Sequence, residues 1–388
     1  MTQGLYLHIP FCRKACHYCN FHFSTLLKYR EPLLMAMLKE LESQKDFLSS
    51  RHFDTIYFGG GTPSLLNLFE LEKLLNKIRK LFVIAPNAEI TLEANPDDLS
   101  LSYLKGLKEN GINRLSIGIQ SFDNDVLRWM NRSHNSQQAK QALESAALAG
   151  FDNLNADLIY GIPGSRTDYW PKQLSTMLKS QAAHLSAYAL TIEPRTVLGQ
   201  RVKKKIQKEV SDEQIAADYD TLCQWTAQEN YIHYEISNFA RPGRKALHNS
   251  SYWQGKPYLG IGPGAHCFNS GTRQWNIANN KQYINKVSAG DVWFEGETLS
   301  KTQQLNEYLM TRLRTASGIN PDFIAKHWSP DEKERILSIM IPWKEKKWLI
   351  KNETNWRLSE QAWLISDSLI SDLFAEESIN NKHEKDHQ

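Results

Sequence analysis

Three of the chain's five cysteines, Cys12, Cys16 and Cys19, fall within eight residues, spaced C-x3-C-x2-C. Cysteines this close in one turn-rich loop converge on a common point, and in a reducing compartment clustered thiolates are more often metal ligands than disulfide partners. Three ligands from one loop suit an iron–sulfur cube with one iron left open, or a zinc ion with one position left open. His17 or His22 offers zinc a fourth ligand, while Phe11, Tyr18, Phe21 and Phe23 supply the dry surroundings that an oxygen-sensitive cluster needs. A second motif, Gly59-Gly60-Gly61-Thr62-Pro63, follows an apolar run at Thr55–Phe58. Glycines there let a ligand approach the backbone and meet N–H donors, but the Lys of a phosphate-binding P-loop is missing. Glu93, Gln120 and Asp157 each close or punctuate an apolar strand, in T-L-E-A-N-P, I-G-I-Q-S-F and N-A-D-L-I-Y-G. One polar strand end is ordinarily just solvated; three at one end of a sheet form a set.

The elements that must hold these residues alternate. Leu5–Ile9 is a short strand ending at Pro10, and Glu31–Phe47 has helical spacing with Pro32 in its first turn. Strand and helix then alternate through Thr55–Phe58, 68–81, Glu89–Glu93, 102–109, Arg114–Ile119, 137–148, Asn153–Ile159, a helix near Asp168, and His184–Ala189. Six such alternations with short connections predict a parallel sheet covered by helices, either open or curled towards a barrel. In both, ligands bind at the C-terminal ends of the strands, where the polar motifs lie. Beyond Thr191 the pattern changes. A helix runs from Ser211 to about Glu229, Tyr231–Phe239 is extended, and 242–271 is rich in Gly, Pro and aromatics, as in a loop-rich binding region. Two short strands around Lys351–Asn355 and a helix from Ser359 suggest a small wing. The expected organisation is a domain at 1–240, a smaller α+β domain at 241–375, and a disordered polar tail at 376–388.

A chain of 388 residues, 41% hydrophobic, buries a substantial core. An odd number of cysteines, three of them clustered, excludes a secreted disulfide framework. The chain runs almost at once into its first strand and has no apolar run long enough for a bilayer, so a cytoplasmic, soluble protein is expected. A net charge of +3 and one basic run, Arg201–Lys205, give no support to a nucleic-acid partner.

The cysteine loop resembles that of the radical S-adenosylmethionine (SAM) superfamily. There the open iron takes the amino and carboxylate groups of SAM, and an electron from the cluster breaks a carbon–sulfur bond to give a deoxyadenosyl radical. In that light Gly59–Pro63 resembles the motif that binds the SAM amino group. Glu93, Gln120 and Asp157 could meet ribose hydroxyls, and Arg132 the SAM carboxylate. The runs H-I-P-F-C, F-G-G-G-T-P-S-L, E-A-N-P, R-L-S-I-G-I-Q-S-F, D-L-I-Y-G-I-P-G and L-T-I-E-P resemble, in order, the oxygen-independent coproporphyrinogen dehydrogenase family and within it the HemW-type haem chaperones.

The resemblance implies a [4Fe-4S] cluster on Cys12, Cys16 and Cys19, SAM contacts at Tyr6, Gly60, Gly61, Thr62, Glu93, Gln120, Arg132 and Asp157, and a six-stranded partial (β/α) barrel followed by a smaller α+β domain. Phe21 stands where the decarboxylating branch has a fourth cysteine, and that branch's N-terminal extension is missing. His248-Asn249-Ser250-Ser251-Tyr252-Trp253 matches the H-N-x-x-Y-W of the chaperone branch. By that match the haem contacts are His248, Asn249, Tyr252 and Trp253: a His among aromatics can ligate haem iron while Tyr252 or Trp253 packs the macrocycle; a hydrogen-bonded loop His is its bland alternative. Arg244 and Lys245 are candidates for propionates, and His266 is a secondary haem or substrate candidate. The expected function is haem binding and transfer to an acceptor protein. A homodimer and peripheral contact with membrane-bound acceptors are compatible with it. The rivals are oxidative decarboxylation of coproporphyrinogen III and a zinc-stabilised nucleic-acid-binding module.

Overall fold

A computed structural model describes residues 3–376; of the expected tail, all but Glu376 lies outside the described residues. In order come β1 (Gly4–Ile9), α1 (Arg30–Ser43), β2 (His52–Gly60), α2 (Leu68–Leu81), β3 (Val83–Ala94), α3 (Leu101–Glu109) and β4 (Arg114–Gln120). They are followed by α4 (Asn124–Trp129), α5 (Ser136–Leu148), β5 (Leu154–Tyr160), α6 (Tyr169–Leu178), β6 (His184–Ala189), α7 (Val197–Lys203) and α8 (Asp212–Gln228). The strands are apolar, with Leu5, Leu7, Ile9, Phe58, Leu92, Ile117 and Leu158 fully buried. Several helices start on side-chain caps: Asn67 with Glu70, and Asn135 with Gln138, form reciprocal capping boxes.

β1 to β6 lie side by side in sequence order, all parallel. The expected six-stranded partial barrel is therefore present and does not close: β1 and β6 each pair outward with later strands. On the β6 side these are the hairpin strands β7 (Ile232–Glu235) and β8 (Asn238–Ala240). On the β1 side lies β9 (Tyr258–Ile261), parallel to β1, and then β10 (His266–Phe268) and β11 (Thr272–Asn276).

Part of the stretch read as loop is thus sheet, and its H-N-S-S-Y-W run is a helix, α9 (Leu247–Trp253). Period-two alternation is too short in β9 and β10 to be seen. Glycine belongs there for close packing: a Cβ at Gly260 would lie 2.0 Å from the His266 carbonyl oxygen. α10 (Asn280–Ala289) packs against α1.

Contacts divide the chain into two compact units, residues up to Tyr252 with Lys256–Gly296, and Trp253–Gly255 with residues from Glu297 on. The first unit extends past the boundary expected at residue 240, because β9–β11 continue the barrel's sheet. The second contains α11 (Lys301–Arg312), α12 (Pro321–His327), α13 (Pro330–Glu345) and the antiparallel pair β12 (Leu349–Asn352) and β13 (Asn355–Leu358) expected as a wing.

Candidate functional site: a cysteine-lined cleft

The loop after β1 carries the three cysteines and is held by backbone bonds rather than by the cysteines themselves. Cys12 N–H donates to Ser24 O (3.1 Å) and Ser24 N–H to Pro10 O (2.6 Å). His17 donates from its backbone to Met130 O (3.0 Å) and from Nδ1 to Trp129 O (2.7 Å). Asn131 Nδ2 donates to Ala15 O (2.8 Å), and Arg13 pairs with Asp98 (2.7 Å). All three thiols stay partly accessible. Burial pushes the Cys12 thiol up to about 11, so without a metal it is neutral.

The cysteines line one cavity of about 500 Å³ together with Thr62, Glu93, Asn95, Gln120, Arg132, Asp157 and Asn249. Gly60 and Gly61 are required by geometry. Gly60 has φ +113°, and a Cβ at Gly61 would lie 2.8 Å from Phe11 O in the cysteine loop. Their N–H groups are not free for a ligand: Gly60 donates to Glu93 Oε2 (3.1 Å) and Gly61 to Ile9 O (2.9 Å). The expected N–H donors are therefore used internally.

Arg132 is anchored through Nη2 to Asn95 Oδ1 (2.6 Å) and Gly118 O (2.7 Å), and its Nη1 lies 3.4 Å from Cys16 Sγ. Its Nε is buried without a partner. Thr62 Oγ1 lies 3.5 Å from Cys12 Sγ and accepts from Asn95 Nδ2 (3.3 Å). Gln120 ends β4 at φ +62°, where the β4–β5 register shifts, a bulge that re-aims the side chain.

Glu93 Oε1 accepts from Tyr57 OH (2.8 Å); burial raises its carboxyl to about 7 against the pull of that hydrogen bond. Asp157 is raised by burial too, and accepts from Asn155 Nδ2 (2.6 Å) and Ser116 Oγ (3.3 Å). Tyr6 is not in the cavity wall; its OH bonds His8 Nδ1 (3.1 Å) and its ring packs 6.0 Å from Tyr57.

The α9 residues divide. His248 is 1% exposed. Its Nδ1 bonds Thr55 Oγ1 (2.8 Å), its Nε2 bonds Tyr252 OH (2.7 Å), and its ring stacks on Tyr57 at 4.9 Å. Burial, aided by the Arg114 charge, lowers it to about 3, so it is neutral. No ring nitrogen is available to iron in this arrangement. Trp253 closes α9, half-buried. Arg244 pairs with Asp152 (2.8 Å), Lys245 sits over the Tyr234 ring, and His266 is exposed on β10.

Asn95, Tyr57 and Asn155 were missed in the sequence. Only Asn95, inside E-A-N-P, had a local signal; the other two act through cross-strand partners.

A tetrahedral zinc with bonds of about 2.3 Å would hold its sulfurs about 3.8 Å apart. The cysteine loop brings no three such ligand atoms within 4.8 Å of one another among the described residues. His17 and His22 each hold one ring nitrogen in a hydrogen bond, His17 Nδ1 to Trp129 O (2.7 Å) and His22 Nε2 with Asn280 Oδ1 (2.8 Å).

Residues 6–172 match the model of the radical SAM superfamily. The chain is 32% identical to the heme chaperone HemW of Bacillus subtilis, over 96% of this chain and all of that protein. It is 34% identical to the heme chaperone HemW of Lactococcus lactis, over 82% of this chain and 83% of that one. This chain belongs to the HemW family of heme chaperones. The family is part of the radical SAM superfamily, which implies SAM and a [4Fe-4S] cluster. The solved coproporphyrinogen III oxidase HemN of Escherichia coli shares the fold, with TM-score 0.83 and 23% identity over 96% of this chain and 90% of that one. No helix among the described residues is long and apolar enough to cross a membrane.

Proposed function

We propose that this chain is a cytoplasmic haem chaperone that carries a [4Fe-4S] cluster on Cys12, Cys16 and Cys19, binds SAM beside it, and hands haem to an acceptor protein. One observation carries the cofactor assignment. The three thiols line the same cavity as Arg132, whose Nη1 lies 3.4 Å from Cys16 Sγ, and two buried carboxyls, Glu93 and Asp157. When bound, the cluster and SAM supply one-electron chemistry at a sulfonium.

The chain's own residues do the positioning. Arg132, fixed by Asn95 and Gly118 O, turns its remaining donors to the SAM carboxylate. The turn at Gly60–Thr62 meets the amino group with backbone carbonyls, since an ammonium needs acceptors and the N–H groups are taken. Glu93 and Asp157 accept from ribose hydroxyls, with Gln120 beside them.

The family name and the H-N-S-S-Y-W run support haem binding. Iron ligation by His248 requires α9 to release the bonds to Thr55 and Tyr252, with Tyr252 and Trp253 then free to pack the macrocycle. His248→Ala is expected to weaken haem retention and leave the cluster content unchanged; equal loss of both would place haem elsewhere. Incubation with SAM and coproporphyrinogen III is expected to release no carbon dioxide, in keeping with Phe21 at the position of a fourth cysteine. Release of protoporphyrinogen would instead make the chain a dehydrogenase.

A further inference from the structure

α9 is clamped at its start. Leu247 and His248 N–H donate to the two oxygens of Glu89 (2.9 and 3.0 Å), and Glu89 lies beside the buried Arg114 (3.9 Å). With both nitrogens of His248 engaged as well, the helix has little freedom to turn about its axis. The next residue, Asn249, lies in the wall of the cysteine cleft. Tyr57, stacked on His248, and Glu93, bonded to Tyr57, line the same cleft. Unlike them, Asn249 has a carboxamide without a hydrogen-bond partner among the described residues.

The chemistry of the cleft leaves a part for such a group. A vicinal diol offers hydroxyl protons to acceptors, and its oxygens also need donors. Glu93 and Asp157 as carboxylates only accept, and the hydroxyl of Ser116 is already spent on Asp157. A primary amide both donates and accepts. We propose that Asn249 is a ligand-contacting residue of this cleft, hydrogen-bonding a ribose hydroxyl of SAM beside Glu93 and Asp157, and that His248 is the positioning residue that aims it. The role deepens the assignment of the cleft to SAM and rests on it.

The test is equilibrium binding of S-adenosylhomocysteine, and of its 2′-deoxy and 3′-deoxy forms, to the anaerobically reconstituted full chain. Asn249→Ala is expected to weaken the parent ligand about tenfold, the loss of one well-made buried hydrogen bond. Against one of the two deoxy ligands that penalty should vanish, because the partner hydroxyl is gone. His248→Ala should carry a similar penalty, lose the same discrimination between hydroxyl and deoxy ligands, and add nothing to Asn249→Ala. A residue that merely holds the fold would instead weaken all three ligands alike. Asn249→Ser, smaller and still polar, gives a second variant should the alanine form load cluster poorly.

Wild-type affinity in both Asn249 variants, or equal loss for parent and both deoxy ligands, overturns the proposal. Failure of the cluster-loaded wild type to bind the parent ligand at all would overturn the assignment of the cleft itself, and the two failures are told apart by that control.

Discussion

The cysteine cleft and the sealed polar site around Glu40 are built from similar residue types and end in opposite states. Glu40, on α1, is fully buried, yet every oxygen is answered. Tyr283 OH and Gly262 N–H (2.8 Å) donate to Oε2, and Asn276 Nδ2 (2.5 Å) and Trp293 Nε1 (3.1 Å) donate to Oε1. These donors come from β11, α10 and the turns after β9 and α10, so Glu40 ties that extension to the barrel. In the cleft, Arg132 Nε is buried without a partner, and among the described residues no side-chain hydrogen bond joins Gln120 or Asn249. Saturated polar groups hold architecture, whereas unsaturated ones facing a cavity await a ligand. By that criterion His248 belongs with Glu40, and Asn249, one residue away, belongs with the cleft.

The comparison breaks if substitutions in the two regions give the same phenotype. The largest effect is expected from Cys16→Ala, which should abolish the visible absorbance of the reconstituted cluster while the protein stays folded by circular dichroism. Glu40→Ala strands four buried donors and should cost ~3 kcal/mol or more in urea unfolding. Retained stability there would mean that the sealed site is not structural. Arg132→Gln should raise the dissociation constant for SAM more than tenfold while shifting unfolding by less than about 1 kcal/mol; a large loss of stability would move Arg132 into the architectural group.

A smaller effect is pH-dependent. Glu93 and Glu40 have folded-state carboxyls raised to about 7, above their unfolded values, chiefly by burial. Their contribution to stability is full below the unfolded pKa of about 4.3 and is lost as pH rises through about 7. Removing one such carboxyl isolates its share: between pH 5.5 and 8 the unloaded Glu93→Gln protein should lose ~1–2 kcal/mol less stability than the unloaded wild type, and an identical pH dependence would contradict the raised carboxyl. The smallest effect is on haem. If His248 must leave its bonds to reach iron while Asn249 holds SAM, added S-adenosylhomocysteine should weaken haem binding a few-fold in titrations.

Sequence alone reached the barrel because its signals are local. Leu71, Leu74, Leu75 and Ile78 repeat at helical spacing and are the buried face of α2. Glycine follows β2 because the chain passes against Phe11. The cysteine loop, Glu93 and Gln120 carry a local signal of the same kind, sitting at or just beyond a strand end, whereas Asp157 lies within β5 and Arg132 follows α4.

What stayed hidden depends on distant partners. β9 was not recognisable as sheet because its partner β1 lies some 250 residues earlier. Nothing local marks Glu40 for burial, since the donors that justify it lie more than 220 residues away. His248 looked like an available ligand because its two partners, Thr55 and Tyr252, come from a remote strand and from the next turn of a helix that Gly, Pro and aromatics disguised as loop.

Mössbauer spectroscopy of air-free protein reconstituted with isotopically enriched iron, with and without SAM, tests the cleft most directly. The expected result is a four-iron cluster in which one iron changes its signal when SAM is added and the other three do not. A protein that holds no such cluster, or one whose four irons ignore SAM, would contradict the assignment of Cys12, Cys16, Cys19 and Arg132.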